Sequence, residues 1–300
     1  CDAKTGVNSG VFAPILAAMT DNPAHTGGSD RVFAFSIPSR NARGRAVRLE
    51  GVLEEILSAH DYPPPIAALL GEALTVTALV GALLKDDGGQ LTMQAETDSG
   101  IVRLLVCDWR DGALRGYAEF SHADLEAAGD APDLQEMFGS GRLVVTFELP
   151  GRQERYQGIV PLEGNSLSEA LEQYFVRSEQ VPSLLRVSVK LGGAKPVAGG
   201  LLLQHVAERE ESGERLHLRE AHPDWDHVAI MASSISPAEL TDRQLSLENI
   251  AWRLFHEDGE IRAAPGTTIR RGCRCSLAHF DEVLARFPKE DRREMADDNG

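Results

Sequence analysis

Near the end of the 300-residue chain, Cys273 and Cys275 stand one residue apart in Arg271-Gly272-Cys273-Arg274-Cys275-Ser276. A chain advances at most roughly 3.3–3.6 Å per residue. An extended Cys-x-Cys therefore holds its Cα atoms near the upper edge of the range a disulfide spans, and closing the bond strains the backbone. Strained disulfides are the more oxidising, labile kind. As thiolates, the same side chains form half of a tetrahedral zinc site, because structural zinc takes four ligands, commonly from two cysteine-rich pairs. On the pair alone two readings stand: a metal clasp that oxidation opens, or two ordinary thiols on a surface loop.

The remaining candidates for chemistry are weaker. His279 lies four residues after Cys275 and reads as a helix-surface histidine before it reads as a third ligand. His222 and His227 flank Trp225, but a spacing of five does not put both on one helical face. Gly192-Gly193 and Gly199-Gly200 read as hairpin turns and close-packing positions rather than a phosphate loop. Asp and Glu total 46, yet none pair in a context suited to acid–base work. Cys107 falls in an apolar stretch and reads as a core residue. A thiol-disulfide oxidoreductase is the alternative use of the Cys-x-Cys. It would need a low-pKa thiol at a helix N-terminus on a thioredoxin-like unit, and no such unit precedes the pair.

Bulk composition narrows the classes further. Hydrophobic residues make up 42% and charged residues 25%, which suits a globular chain long enough for a large core. A net charge of −16 disfavours nucleic acid, including a zinc-ribbon binder, and an anionic membrane. Four cysteines without framework spacing point to a reducing compartment, and the expected location is cytoplasmic. The longest apolar run, Ala73 to Leu84, reads as a core helix, and no membrane span or signal peptide is expected. The chain starts at Cys1 and stops at Gly300 in a way that suggests a piece of a longer protein.

The elements that must carry the pair follow from periodicity. Residues 1–30 are read as a disordered leader. Phe33, Phe35 and Ile37 alternate as a strand. After residues 39–44, Leu49, Val52, Leu53, Ile56 and Leu57 mark an amphipathic helix. A second helix follows the prolines at 63–65 and runs to about Leu84. Strands are expected around 91–93, 101–107, 114–120, 143–149, 156–162, 185–191 and 200–206. Ser166 and Glu169 suggest a capping box for a helix carrying Leu167, Leu171, Tyr174 and Phe175. From His222 the pattern turns helical, with Pro237 at a helix start and a stripe at Leu247, Ile250, Ala251, Leu254 and Phe255. The expected fold is α+β: a core at 31–220 with a largely antiparallel sheet and packed helices, a helical linker at 221–270, and a small C-terminal module from 271.

Several stretches together resemble the 33-kDa heat-shock protein family of redox-regulated bacterial chaperones. They are Leu114-Arg115-Gly116-Tyr117-Ala118, Tyr156-Gln157-Gly158-Ile159-Val160, Tyr174-Phe175-x-x-Ser178-Glu179-Gln180, Ala198 to Gln204, Trp252-Arg253-Leu254-Phe255-His256-Glu257 and Cys273-Arg274-Cys275-Ser276. They occur in the family's order over about residues 31–300.

The resemblance implies a non-enzymatic, ATP-independent holdase for unfolding proteins. In it Cys273 and Cys275 bind one zinc per full-length reduced chain, with a Cys-x-x-Cys further on that residues 271–300 do not reach. Oxidation of Cys273 and Cys275 to a disulfide would release zinc, unfold the module and the linker, and bare Leu247, Ile250, Leu254 and Phe255 to client proteins. The oxidised form would associate as a homodimer. With half its ligands, the segment from 271 is expected to be poorly ordered, and this chain to hold clients in part without oxidation.

Overall fold

In the computed structural model, residues 28–84, 88–97, 99–151, 155–206, 222–272, 281 and 284–294 are described. Cys273, Cys275, His279 and nearly all of the expected leader lie outside them. Phe33, Phe35 and Ile37 alternate as expected along β1 (Arg31–Ile37). Leu49, expected to open a helix, instead ends a full strand, β2 (Ala42–Leu49), which follows a short 3-10 turn at Pro38–Arg40. Small residues explain the miss. Ala42, Gly44 and Ala46 alternate with Arg43 and Arg45, so the buried face carries little hydrophobic signal.

Two helices follow, α1 (Gly51–Leu57) and α2 (Pro64–Gly81). A three-strand run comes next: β3 (Gln90–Glu96), β4 (Val102–Arg110) and β5 (Ala113–Phe120). Short helices α3 (His122–Ala128) and α4 (Leu134–Phe138) lead to a hairpin of β6 (Arg142–Glu148) and β7 (Tyr156–Pro161). Helix α5 (Leu167–Arg177) precedes β8 (Ser183–Lys190) and β9 (Val197–His205). Beyond the undescribed residues 207–221 come α6 (Pro223–Ser233), α7 (Pro237–Leu240) and α8 (Leu247–Phe255). Strands β10 (Arg262–Thr268) and β11 (Arg270–Arg271) and helix α9 (Lys289–Glu294) complete the described chain.

The strands form two sheets, in the orders β10-β1-β2-β9-β8 and β11-β5-β4-β3-β6-β7. Every pairing among the described residues is antiparallel except β11 with β5. The fold is thus the expected α+β class, with two sheets in place of one. Helix α2 explains the arrangement, since it packs on strands of both. By length and composition it could cross a membrane, but 78% of it is buried inside the protein. Leu70, Leu74 and Leu79 are fully buried, and the inner core gathers around them from both sheets.

Consecutive glycines let layers meet at β9. A Cβ on Gly200 would lie 2.7 Å from Thr75 of α2, while one on Gly199 would lie 2.0 Å from the Leu240 carbonyl on the opposite side. Cys107 is buried, and burial pushes its thiol pKa far up, which makes it inert.

One carboxylate interrupts the apolar surface of α2. Glu72 accepts from the amide (2.9 Å) and hydroxyl (2.6 Å) of Ser168 in the first turn of α5. Burial pushes its pKa up, and the Ser168 and Leu167 hydrogen bonds pull it partly back. The expected capping box at Ser166 is half formed. Ser166 accepts from the Glu169 amide, but the Glu169 carboxylate turns to Asn165.

Candidate functional site

Helices α6 to α8 begin on local signals. The His222 side chain accepts from the Asp224 amide ahead of Pro223, Ser236 and Glu239 form a complete capping box around Pro237, and Ser246 accepts from the Asn249 amide. Each is too short to persist alone in water, so their stability must come from what they cover. They cover the face of the first sheet that points away from α2.

A second apolar core forms there. Phe33, Phe35 and Ile37 of β1 and Leu201 and Leu203 of β9 meet Trp225, Val228, Leu240 and the α8 stripe. Leu247, Ile250, Leu254 and Phe255, the residues singled out by spacing, are brought onto this one face and are 2%, 2%, 8% and 0% exposed. The rings of Phe35 and Phe255 lie 6.2 Å apart. Burial of side chains this size is worth roughly 1.5–3 kcal/mol each. In this state the stripe is closed to any partner.

Polar straps fasten the layer, and sequence reasoning did not find them. Arg48 on β2 is 4% exposed, and its guanidinium donates to the carbonyls of Leu245 (2.6 Å) and Leu240 (3.2 Å). It thereby satisfies the C-terminal end of α7 and the turn that follows. Burial pushes the Arg48 pKa down, while Glu50 and Asp242 draw it back up.

Asp258 is a second hub. Its carboxylate receives Arg40 at 2.8 Å and His227 at 3.0 Å, and its carbonyl accepts from the Ser39 hydroxyl at 2.7 Å. Arg40 also reaches Asp224 at 3.1 Å, and these two carboxylates hold its pKa above the usual value. Arg31–Glu248 and Arg243–Glu50, both at 2.6 Å, tie the remaining edges. Arg48 breaks the alternation of β2, since it falls on the face of Ala42, Gly44 and Ala46 rather than with Arg43 and Arg45. Nothing local marks Asp258.

One buried group works against docking. The side-chain oxygen of Asn249 on α8 is buried and finds no hydrogen-bond partner among the described residues. Leaving such a group unsatisfied costs about 1–3 kcal/mol.

After α8 the chain is sewn into both sheets. The β10 strand lies where sequence periodicity suggested only helices, because Ala263-Ala264-Pro265-Gly266 carries no alternation. It pairs with β1 from Arg31↔Thr268 to Ser36↔Arg262. Ile269 is buried in the inner core and donates its amide to Asp30, and β11 then joins β5. Gly272 donates its amide to Leu114 at 2.7 Å, and Cys273 is the next residue. Among the described residues no group of three or more His, Cys, Asp or Glu could hold a metal ion.

This architecture, two sheets around a buried helix with a helical layer strapped over one face, recurs in a solved chaperonin. A 33 kDa chaperonin from Thermotoga maritima (a heat shock protein 33 homolog) shares the fold with a TM-score of 0.72 at 22% identity, over 89% of this chain and 88% of that one. Sequence relatives named 33 kDa chaperonin include that of Caulobacter vibrioides (strain NA1000 / CB15N), 38% identical over 94% of this chain and 93% of the relative. Another, from Escherichia coli O17:K52:H18, is 32% identical over 90% and 87%. Residues 30–300 match the family described as Hsp33 protein, and the chain belongs to the Hsp33 family.

Proposed function

We propose that this chaperone is a redox-regulated, ATP-independent holdase whose client surface is the face closed here by α6 to α8. One observation carries the reading. The apolar stripe of α8 is wholly buried on the first sheet, and the strands that follow it, β10 and β11, end two residues before Cys273 in the sequence.

Cys273 and Cys275 would hold zinc as two of four ligands, a donor set that fits this ion, with the Cys-x-x-Cys implied by the resemblance supplying the others. Bound zinc supplies folding free energy to a module too small to fold on a core of its own. With peroxide as oxidant, the two thiols give up two electrons and two protons, one S–S bond forms, and the peroxide leaves as two waters. The disulfide no longer offers two thiolates, so the module loses its fold and β11, β10 and the helices lose an anchor. Leu247, Ile250, Leu254 and Phe255, together with Phe33, Phe35 and Ile37 beneath them, then become the apolar surface that holds unfolding proteins. The same surface accounts for a homodimer of the oxidised form. Neither nucleic acid nor membrane is a partner in this scheme, and its setting is the cytoplasm.

The test follows aggregation of a heat-unfolded client by light scattering, with reduced and with peroxide-treated protein. Protection by the oxidised form alone is expected. Equal protection by both removes the switch, and protection by neither removes the holdase.

A further inference from the structure

Beside the strand that leads to the cysteine pair lies a recess of about 310 Å³ lined by Arg110 and Arg115 of β5's hairpin and Arg270 and Arg271 of β11, with Asp108 and Asp111. That volume is at the small end of ligand pockets. Four guanidinium groups around one recess contrast with a chain whose net charge is −16. The two carboxylates are already engaged. Asp108 accepts from Thr92 and Arg115, both at 2.5 Å, and Asp111 accepts from the Gly88 amide at 2.8 Å. Arg110 reaches Asp111 only at 3.9 Å, and Arg270 spends one donor on the Asp111 carbonyl. Among the described residues, the other guanidinium N–H groups of Arg110, Arg115, Arg270 and Arg271 make no further hydrogen bond within the protein.

The arginines are placed by backbone, not by chance of side-chain reach. Arg270 donates its amide to Gly112 (2.9 Å), and Gly272 donates its own to Leu114 (2.7 Å), which fixes β11 beside β5. Gly112 turns at φ +77, where a Cβ would strike the Thr268 carbonyl at 2.3 Å, so the tight turn is what lets the two strands approach.

We propose that this recess binds a small multivalent phosphate anion of the pyrophosphate type, free or as the tail of a nucleotide. Planar guanidinium forks match phosphate oxygens in bidentate pairs, and arginine is the residue best suited to that geometry. An anion seated here takes donors from both strands, so it neutralises the repulsion between β5 and β11 and pins β11 in the sheet. By linkage it favours the state in which the chain before Cys273 is docked. This proposal stands apart from the redox reading, since neither zinc nor oxidation enters it.

The experiment titrates sodium pyrophosphate into the full chain by calorimetry at low ionic strength. Saturable binding of one anion per chain is expected. It should weaken by about tenfold or more in the Arg110→Ala/Arg271→Ala double variant and stay unchanged in Arg142→Ala, an exposed arginine outside the recess. Absent or unsaturable binding overturns the proposal, as does binding that the double variant retains or that Arg142→Ala loses equally. Hydrogen exchange on the unmodified protein gives a reading independent of any variant. Pyrophosphate should slow exchange of the Arg270 and Gly272 amides, and unchanged exchange at saturating anion overturns the site. ADP binding at least as tightly as pyrophosphate assigns the nucleotide source, and weaker ADP binding assigns the free anion.

Discussion

The inner core around α2 and the outer core under α6 to α8 share the first sheet and use its opposite faces. Inside, an 18-residue helix is buried almost all round, and two sheets close over it. Outside, three short helices offer one apolar side each and rely on arginines and carboxylates for the rest. The inner face excludes water from nearly every group, so nothing leaves it without global unfolding. Under the proposed function the outer layer detaches as a unit, its polar straps exchanged for water and Asn249 given a partner on release. Within one molecule, the amount of polar fastening is what separates the two cores.

The comparison can be broken with a pair of truncations. Leu74→Ala, at a fully buried inner position, is expected to lower global stability by about 2–5 kcal/mol. Phe255→Ala removes a fully buried outer ring at a cost of about 3–5 kcal/mol. That loss should appear as fast hydrogen exchange over 247–255 and client holding without oxidant, while the urea midpoint of the inner core stays put. A common fall in both midpoints would merge the two cores into one.

A smaller effect sharpens the role of the straps. Arg48→Met keeps the apolar stem and leaves the carbonyls of Leu240 and Leu245 without their donor. The outer layer should lose about 2–3 kcal/mol, read by exchange at 237–247, with no change in the inner core.

The smallest effect lies at Glu72. Its folded pKa is raised by burial, so its favourable contribution is complete below the unfolded value of about 4.3 and is lost as pH rises through the folded pKa. Glu72→Gln keeps an acceptor for Ser168 and removes that loss. The variant should gain stability at neutral pH, and the gain should vanish toward pH 4 in urea unfolding curves. A gain equal at both pH values would exclude the carboxylate's ionisation as its source.

What could be read from sequence tracks the distance over which each signal acts. The stripes of α5 and α8 and the helix start at Pro237 are contained within one or two helical turns, and they were legible. The four apolar residues of α8 were legible for the same reason. Arg48 and Arg40 were not, because their partners Leu240, Leu245 and Asp258 lie 192, 197 and 218 positions away. The split into two sheets was hidden as well. A buried helix shows that something covers it on all sides, but strand registers alone say what. Strand β9 is buried at every position, which erases the alternation that would have told its two faces apart.

The pairing of β1 with β10 reaches from Arg31 to Thr268, and this bears on how the protein is made. Translation adds about 5–20 residues per second, so β1 waits on the order of tens of seconds for its neighbour to leave the ribosome. Until α6 to α8 and β10 arrive, the outer face of Phe33, Phe35 and Ile37 has no cover. Chains arrested before Arg262 should bind a hydrophobic dye that chains extended past Arg271 and released do not, and equal binding would refute this order of events. A newborn copy thus displays the same bare sheet that a mature copy would offer its clients, and it is itself a protein in need of shelter until its last strand is in place.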